Sequence, residues 1–377
     1  MNLALSRNSA CLARADVTPL ADRVSTVAAS LMQDHNIPGL VIGVVTRGGS
    51  VAFPFGVASK DTGQPVTKQT LFELGSVSKV YTATLAGLGL ARGALAWSDP
   101  VSRHLPELNG TPISSLSLLH LGTYSAPGLP LQFPDDVTNL GSAIQYYRQW
   151  QPSGSPGSRR QYSNPSLGLF GHAIAAAMGA DFDLLMNREL LSRLGLNETY
   201  TRVPAAVADH YAWGHDGDNR PVRVSPGVFD TEAYGIKASV SDMMRLIELN
   251  LDASALDAPF REAIAQTQKP RFRVGAMIQG LGWEQYPPPV SLAALLDGNS
   301  RAMIMESQAA STINPQMAQP GRLFNKTGST GGFGAYVAFV PEAGVGVILL
   351  ANRNYAIPAR VEAAYRLLSE VADLKRS

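Results

Sequence analysis

The chain of 377 residues has a single cysteine, Cys11. One thiol excludes an intramolecular disulfide and a thiolate metal site. Net charge is also scarce, since 31 basic side chains meet 30 acidic ones and leave +1. With no basic run interleaved with aromatics, nucleic acid and anionic membranes are not expected as partners. No run of about 18 apolar residues exists, so nothing reads as a membrane span. The six histidines, His35, His104, His120, His172, His210 and His215, form no H-E-x-x-H pair, which argues against a metal hydrolase. G-x-S-x-G is missing as well, and with it the nucleophile elbow of an α/β-hydrolase. No repeat of about 20 to 50 residues is visible. No metal and no cofactor is expected.

Against these absences stands a hydrophobic content of 45%, enough for a substantial core in one large domain or two intimate ones. Small-molecule chemistry is the expected business. Residues 1–15, MNLALSRNSACLARA, end in the small-x-small pattern Ala13-Arg14-Ala15, as before a leader cleavage site. Arg7, Asn8 and Arg14 interrupt any apolar stretch, so the segment reads as a weak or truncated signal peptide, or as a flexible extension.

Helical spacing of Leu20, Val24, Val27 and Leu31 predicts a helix from Pro19 to His35, with the proline in its first turn. IPGLVIGVVTRGGSVAFPFG then reads as a hairpin around Arg47-Gly48-Gly49-Ser50. Near the other end GGFGAYVAFVPEAGVGVILLAN has the same form, followed by a closing helix from Pro358 to Val371. Helix and hairpin at both ends predict an α/β (α+β) sandwich, with a central antiparallel sheet built from both termini and flanked by helices. Residues 91–229 change character, with short helical patterns at Leu116 to Tyr124 and Asn139 to Trp150 between Pro-, Gly- and Ser-rich loops. The expected organisation is a sandwich domain of residues 16–90 and 230–377, an inserted mainly helical domain of residues 91–229, and an active site between them. Pro287 to Gly321 reads as an irregular surface excursion.

Chemistry concentrates in three short motifs. FELGSVSKVYTATLAGLGLARG predicts a helix from Ser76 to Ala91, with Val80, Thr84, Leu85, Leu88 and Ala91 on one face and Gly93 as the stop. Ser76 and Lys79, three apart, share the first turn. The helix dipole disfavours an ammonium there, so a buried Lys79 would tend to lose its proton and serve as base for the Ser76 hydroxyl. A surface lysine extending off an ordinary helix is the alternative. Tyr162-Ser163-Asn164 stands in a loop before a helical run, and Lys326-Thr327-Gly328 reads as opening the strand of the second hairpin. Chance accounts for any one of these, but poorly for all three in this order.

S-x-x-K, Tyr-x-Asn and K-T-G in this order resemble serine β-lactamases and penicillin-binding proteins, and Tyr-Ser-Asn resembles the class C branch. FELGSVSK, GLPLQFPDDV, YSNPSLGLFG, SPGVFDTEAYGIK, QGLGWE, KTGSTGGFGAYVAFVPE and LANRNYAIPARV extend the resemblance over about residues 18 to 371. It implies a nucleophilic Ser76 that attacks a β-lactam carbonyl. The oxyanion would face the backbone N–H groups of Ser76 and Ser329, while Lys79, Tyr162 and Lys326 manage protons and charge. Deacylating water would be activated by Tyr162. Gln132, Asn164, Tyr234, Thr327, Gly328 and Asn354 match substrate-binding positions. Ile357 departs from an asparagine common in relatives, and Asn325 from an aromatic residue or histidine. The resemblance further implies a periplasmic monomer acting on small β-lactams, cephalosporins ahead of penicillins. D-alanyl-D-alanine carboxypeptidases, esterases of the same fold and sensors that stay acylated share the motifs.

Overall fold

The structure, a computed structural model, describes residues 14–314 and 320–373. Cys11 and most of the expected leader lie outside the described residues. The described residues begin with α1 (Arg14–Asp34), which starts ahead of the predicted boundary and contains Pro19 in its interior. The hairpin follows as β1 (Gly39–Thr46) and β2 (Gly49–Gly56), with Thr46 opposite Gly49 across the tight turn. Strands β3 (Phe272–Val274), β4 (Met277–Gln279), β5 (Glu284–Tyr286), β6 (Ser311–Thr312), β7 (Leu323–Ser329), β8 (Gly334–Val340) and β9 (Val345–Ala351) complete the sheet. All pairings in it are antiparallel, in the order β6-β3-β4-β5-β7-β8-β9-β1-β2. Leu40 pairs with Ala351 and Thr46 with Val345, so the two ends of the chain meet within one sheet, at β1, which has only β2 outside it.

Every residue of β1 is buried, because both faces of the sheet are covered. On one face Leu40, Ile42 and Val44 pack with Leu20 and Val24 of α1 and with Val361, Ala364 and Leu367 of α6 (Ile357–Asp373). On the other, Val41 and Val45 join a cluster that includes Val80 and Leu85 of α2 (Ser78–Ala91), Phe170 of α3 (Asn164–Met178) and Val240 and Ile247 of α5 (Val240–Leu251). The same cluster reaches Leu118, Ala143 and Leu190 in the helical segment. Burying each leucine of this kind contributes roughly 2 kcal/mol against exposure.

Three expectations need correction. Helix α2 is buried all round from Ser78 to Gly89, not on one stripe, since α3, helix Ala258–Gln268 and the segments Leu185–Leu191 and Asp230–Ala233 pack around it. Lys326-Thr327-Gly328 lies inside β7, a separate strand that pairs with the hairpin instead of opening it. Pro287 to Gly321 is no irregular excursion, because helices Leu292–Gly298 and Arg301–Met305 and the edge strand β6 lie within it.

Candidate active site

Ser76 sits in a single 3-10 turn, Gly75–Val77, that runs straight into α2. Gly75 has a φ of 51°, and a Cβ on it would stand 2.3 Å from Ser329 N. A Cβ on Gly328 would meet Leu74 O at 1.9 Å. The two glycines therefore let the serine turn and β7 touch backbone to backbone. Pairing of β5 with β7 ends at Glu284 opposite Asn325, so from Lys326 to Ser329 that edge of β7 has no strand partner and packs beside the serine turn.

Lys79 is 0% exposed, one turn behind Ser76. Its Nζ donates to Ser76 Oγ at 3.0 Å, to Asn164 Oδ1 at 2.6 Å and to Ala233 O at 2.6 Å. These acceptors match the three protons of an ammonium, whereas a neutral amine would offer a lone pair to Ser76. Burial is the main reason its pKa is lowered to about 8; Tyr162 pulls it up and Lys326 pushes it further down.

Tyr162 and Asn164 flank the start of α3. Ser163 caps that helix by accepting from Ser166 N at 3.0 Å, and Pro165 suits its first turn. Asn164 N donates to Leu131 O at 3.0 Å, which ties down the segment carrying Gln132. Lys326 Nζ lies 5.1 Å, Lys79 Nζ 5.2 Å and Arg160 Cζ 5.2 Å from the Tyr162 ring centre. The phenol oxygen is buried and looks onto the Ser76 hydroxyl and the Lys79 ammonium. Burial alone would raise its pKa; Lys326, then Lys79 and Ser76, outweigh that and hold it at about 8. For Lys326, burial pulls the pKa down, but Glu284 and Tyr162 more than reverse it, so that ammonium stays charged. Lys79 and Tyr162 thus titrate together as one set.

A cavity of about 470 Å³ opens in front of Ser76. Gln132, Tyr162, Asn164, Tyr234, Lys326, Thr327, Gly328 and Ser329 line it, together with Ile357. Lys79 stands behind Ser76, off the lining. Asn354 is exposed and outside the cavity; its Oδ1 accepts from Arg360 Nη2 at 2.7 Å, while Arg360 Nη1 donates to Gly328 O at 2.7 Å and Ser329 Oγ at 2.9 Å. Asn325 is buried beneath the site, donating to the Tyr336 hydroxyl at 2.8 Å. Among the described residues no group of three or more metal-ligating side chains is present, and no single helix is long and apolar enough to cross a membrane.

The profile of the family "Beta-lactamase" matches residues 24–372. The chain is 50% identical to a β-lactamase of Pseudomonas fluorescens over 353 residues, which is 93% of this chain and 99% of that protein. The chain belongs to the β-lactamase family. A β-lactamase of Escherichia coli is 39% identical to it over 97% of each chain. Among solved structures, a β-lactamase/D-alanine carboxypeptidase of Pseudomonas syringae superposes with a TM-score of 0.91 at 44% identity, covering 93% of this chain and 99% of the other. A class C β-lactamase in complex with cefoxitin gives 0.90 at 39% identity, over 94% and 99%. The protein is thus a class C serine β-lactamase, and β-lactam hydrolysis is its activity.

Sequence reasoning missed part of this β-lactamase site. Glu284 Oε1 accepts from Arg160 Nη2 at 3.2 Å and from Lys326 Nζ at 3.3 Å, and Arg160 also donates to Gln279 Oε1 and Met303 O, both at 2.7 Å. The Tyr124 ring lies 4.7 Å from that of Tyr162, tilted by 48°. The available signal was Arg160 two residues before Tyr162 and the lone acid of QGLGWE. Gly298, Asn299, Met303 and Ile304, from the segment read as an excursion, form another wall.

Proposed function

We propose that the enzyme hydrolyses β-lactams through an acyl-enzyme on Ser76. The Lys79–Tyr162 set takes the Ser76 proton, and the oxyanion is held by the backbone N–H groups of Ser76 and Ser329, where two preorganised donors supply several kcal/mol. The carrying observation is Lys79 Nζ at 3.0 Å from Ser76 Oγ with Tyr162 held between two lysines. Water then attacks the ester, with Tyr162 accepting its proton. Lys326 and Thr327 offer a cation and a hydroxyl to the substrate carboxylate, Gln132 and Asn164 amide groups to its acylamide, and Tyr234 a wall to its side chain. Asn354 reaches this carboxylate site only through Arg360. Cephalosporins ahead of penicillins, a periplasmic location and a monomeric state belong to the same reading. Hydrolysis of a chromogenic cephalosporin, followed by intact-mass spectra with S76A as control, tests it. Turnover lost in S76A with a transient acyl adduct in the wild type is expected; turnover that survives in S76A would sink the assignment.

A second reading, D-alanine carboxypeptidase activity from the same Ser76, is favoured by one observation. Two superposing structures carry that activity in their names, the P. syringae protein and a D-alanine carboxypeptidase of Burkholderia cenocepacia with a TM-score of 0.88 at 42% identity. Release of D-alanine from a peptide ending in D-alanyl-D-alanine separates the two.

A further inference from the structure

Behind the site lies the short helix α4 (Asp230–Ala233), whose last residue supplies the carbonyl that accepts from Lys79. Its Glu232 is 7% exposed and packs into α3 where that helix has no side chain. A Cβ on Gly171 would stand 2.5 Å from Glu232 Cγ. From α2, Thr82 Oγ1 donates to Glu232 O at 2.7 Å, so this one residue is clamped between two helices.

The charged surroundings are wrong for a carboxylate. Asp183 and Asp181 face Glu232 from the turn after α3, and Asp230 from its own helix. Two cations stand on this side: Arg202, engaged by Asp230 through contacts of 2.5 and 2.7 Å and reaching Glu232 only through space, and Lys237, which acts on Asp230 and Asp183. Tyr147 and Tyr234 are the other titratable neighbours, and Lys79 is taken up by Ser76, Asn164 and Ala233. Among the described residues no cation forms an ion pair with Glu232. We infer that Glu232 is a positioning residue that works as a neutral carboxylic acid, keeping α4 seated so that the Ala233 carbonyl stays on Lys79. The inference rests on the proposed role of Lys79.

Ionising this acid would bury an unpaired charge among three others of the same sign and drive α4 away from α3. Burial, helped by Asp183, Asp230 and Asp181 and opposed by the residue's own N–H, raises its pKa from 4.5 to about 8. Because the folded value lies above the unfolded one, the folded state holds a proton that the unfolded chain releases. The contribution is complete below about pH 4.5 and lost as the pH rises through about 8.

The test compares the wild type with E232Q, which keeps the shape and removes the proton, by thermal melts across this pH range. The difference in melting temperature, E232Q minus wild type, should grow from about pH 5 to about pH 8 and then level off. On the alkaline side kcat for a chromogenic cephalosporin should fall in the wild type and hold in E232Q, with KM little changed. A melting difference independent of pH, or identical alkaline limbs, overturns the inference. Infrared spectra of the wild type need neither a folded variant nor turnover. They should show a protonated carboxyl band at neutral pH that vanishes near pH 8, and its absence would equally overturn the inference. Should S76A retain turnover, the reading of Ser76 and Lys79 fails while the melts and spectra still decide the state of Glu232.

Discussion

At the scale of single residues the site is a problem of four charges around one phenol. Lys326 and Lys79 lower the Tyr162 pKa, and Glu284 works against them. If deprotonation of the Lys79–Tyr162 set arms Ser76, kcat/KM has a rising limb set by groups that titrate near 8, read cleanly in the E232Q background, where the alkaline fall expected from Glu232 is removed. K326M removes the strongest charge holding the phenolate, so the rising limb should move to higher pH by on the order of one unit. E284Q removes the opposing charge and should move it the other way. A pH–rate profile of the three proteins checks the pair of signs, and shifts in the same direction would refute the electrostatic account. Y162F should cost about 10²- to 10⁴-fold in kcat, the usual range for losing a general base.

At the scale of elements, two devices bring the motifs together. Ser163 caps α3 between Tyr162 and Asn164, so S163A should cost about 1 kcal/mol and a few degrees of melting temperature. Turnover should fall with it, because Tyr162 and Asn164 are aimed by the same cap. G75A is expected to do worse for activity than for the melt, since the added Cβ meets Ser329 N and pushes β7 off the serine turn. Equal activity in G75A and wild type would contradict that packing. The hairpins, α2 and the start of α3 were legible because their signals are local: turn residues, caps and helical spacing within a few positions. Arg160 and Glu284 lie 124 positions apart, so nothing local links them, and the sheet alone makes them neighbours. The walls at Gly298 and Met303 were illegible for the same reason, since a Ser-, Ala- and Met-rich stretch carries no period that says what it covers. The contact expected of Asn354 came with resemblance, and the Arg360 bridge that holds it aside is a tertiary event.

At the scale of the molecule, the sheet closes only when β9 arrives to pair with β1, more than 300 residues after it was made. Until then the apolar edge of β1 is unpaired, an aggregation hazard during synthesis. A chain truncated before Val345 should therefore be protease-sensitive and lack near-ultraviolet circular dichroism, although Ser76, Lys79 and Tyr162 are all present in it. Native-like protection in that fragment would show that residues 14–344 suffice for the core.

The complete burial of Lys79 also decides how the protein can be attached to a surface. Of its lysines, Lys60 and Lys68 are exposed, while Lys79 and Lys326 are shut away. Amine-reactive beads or dyes will accordingly take hold at exposed lysines such as Lys60 and Lys68, in the loop that follows β2, and at the part-exposed Lys269. The amine beside Ser76 will escape them, so a biosensor built by ordinary lysine coupling keeps its proton-handling group intact.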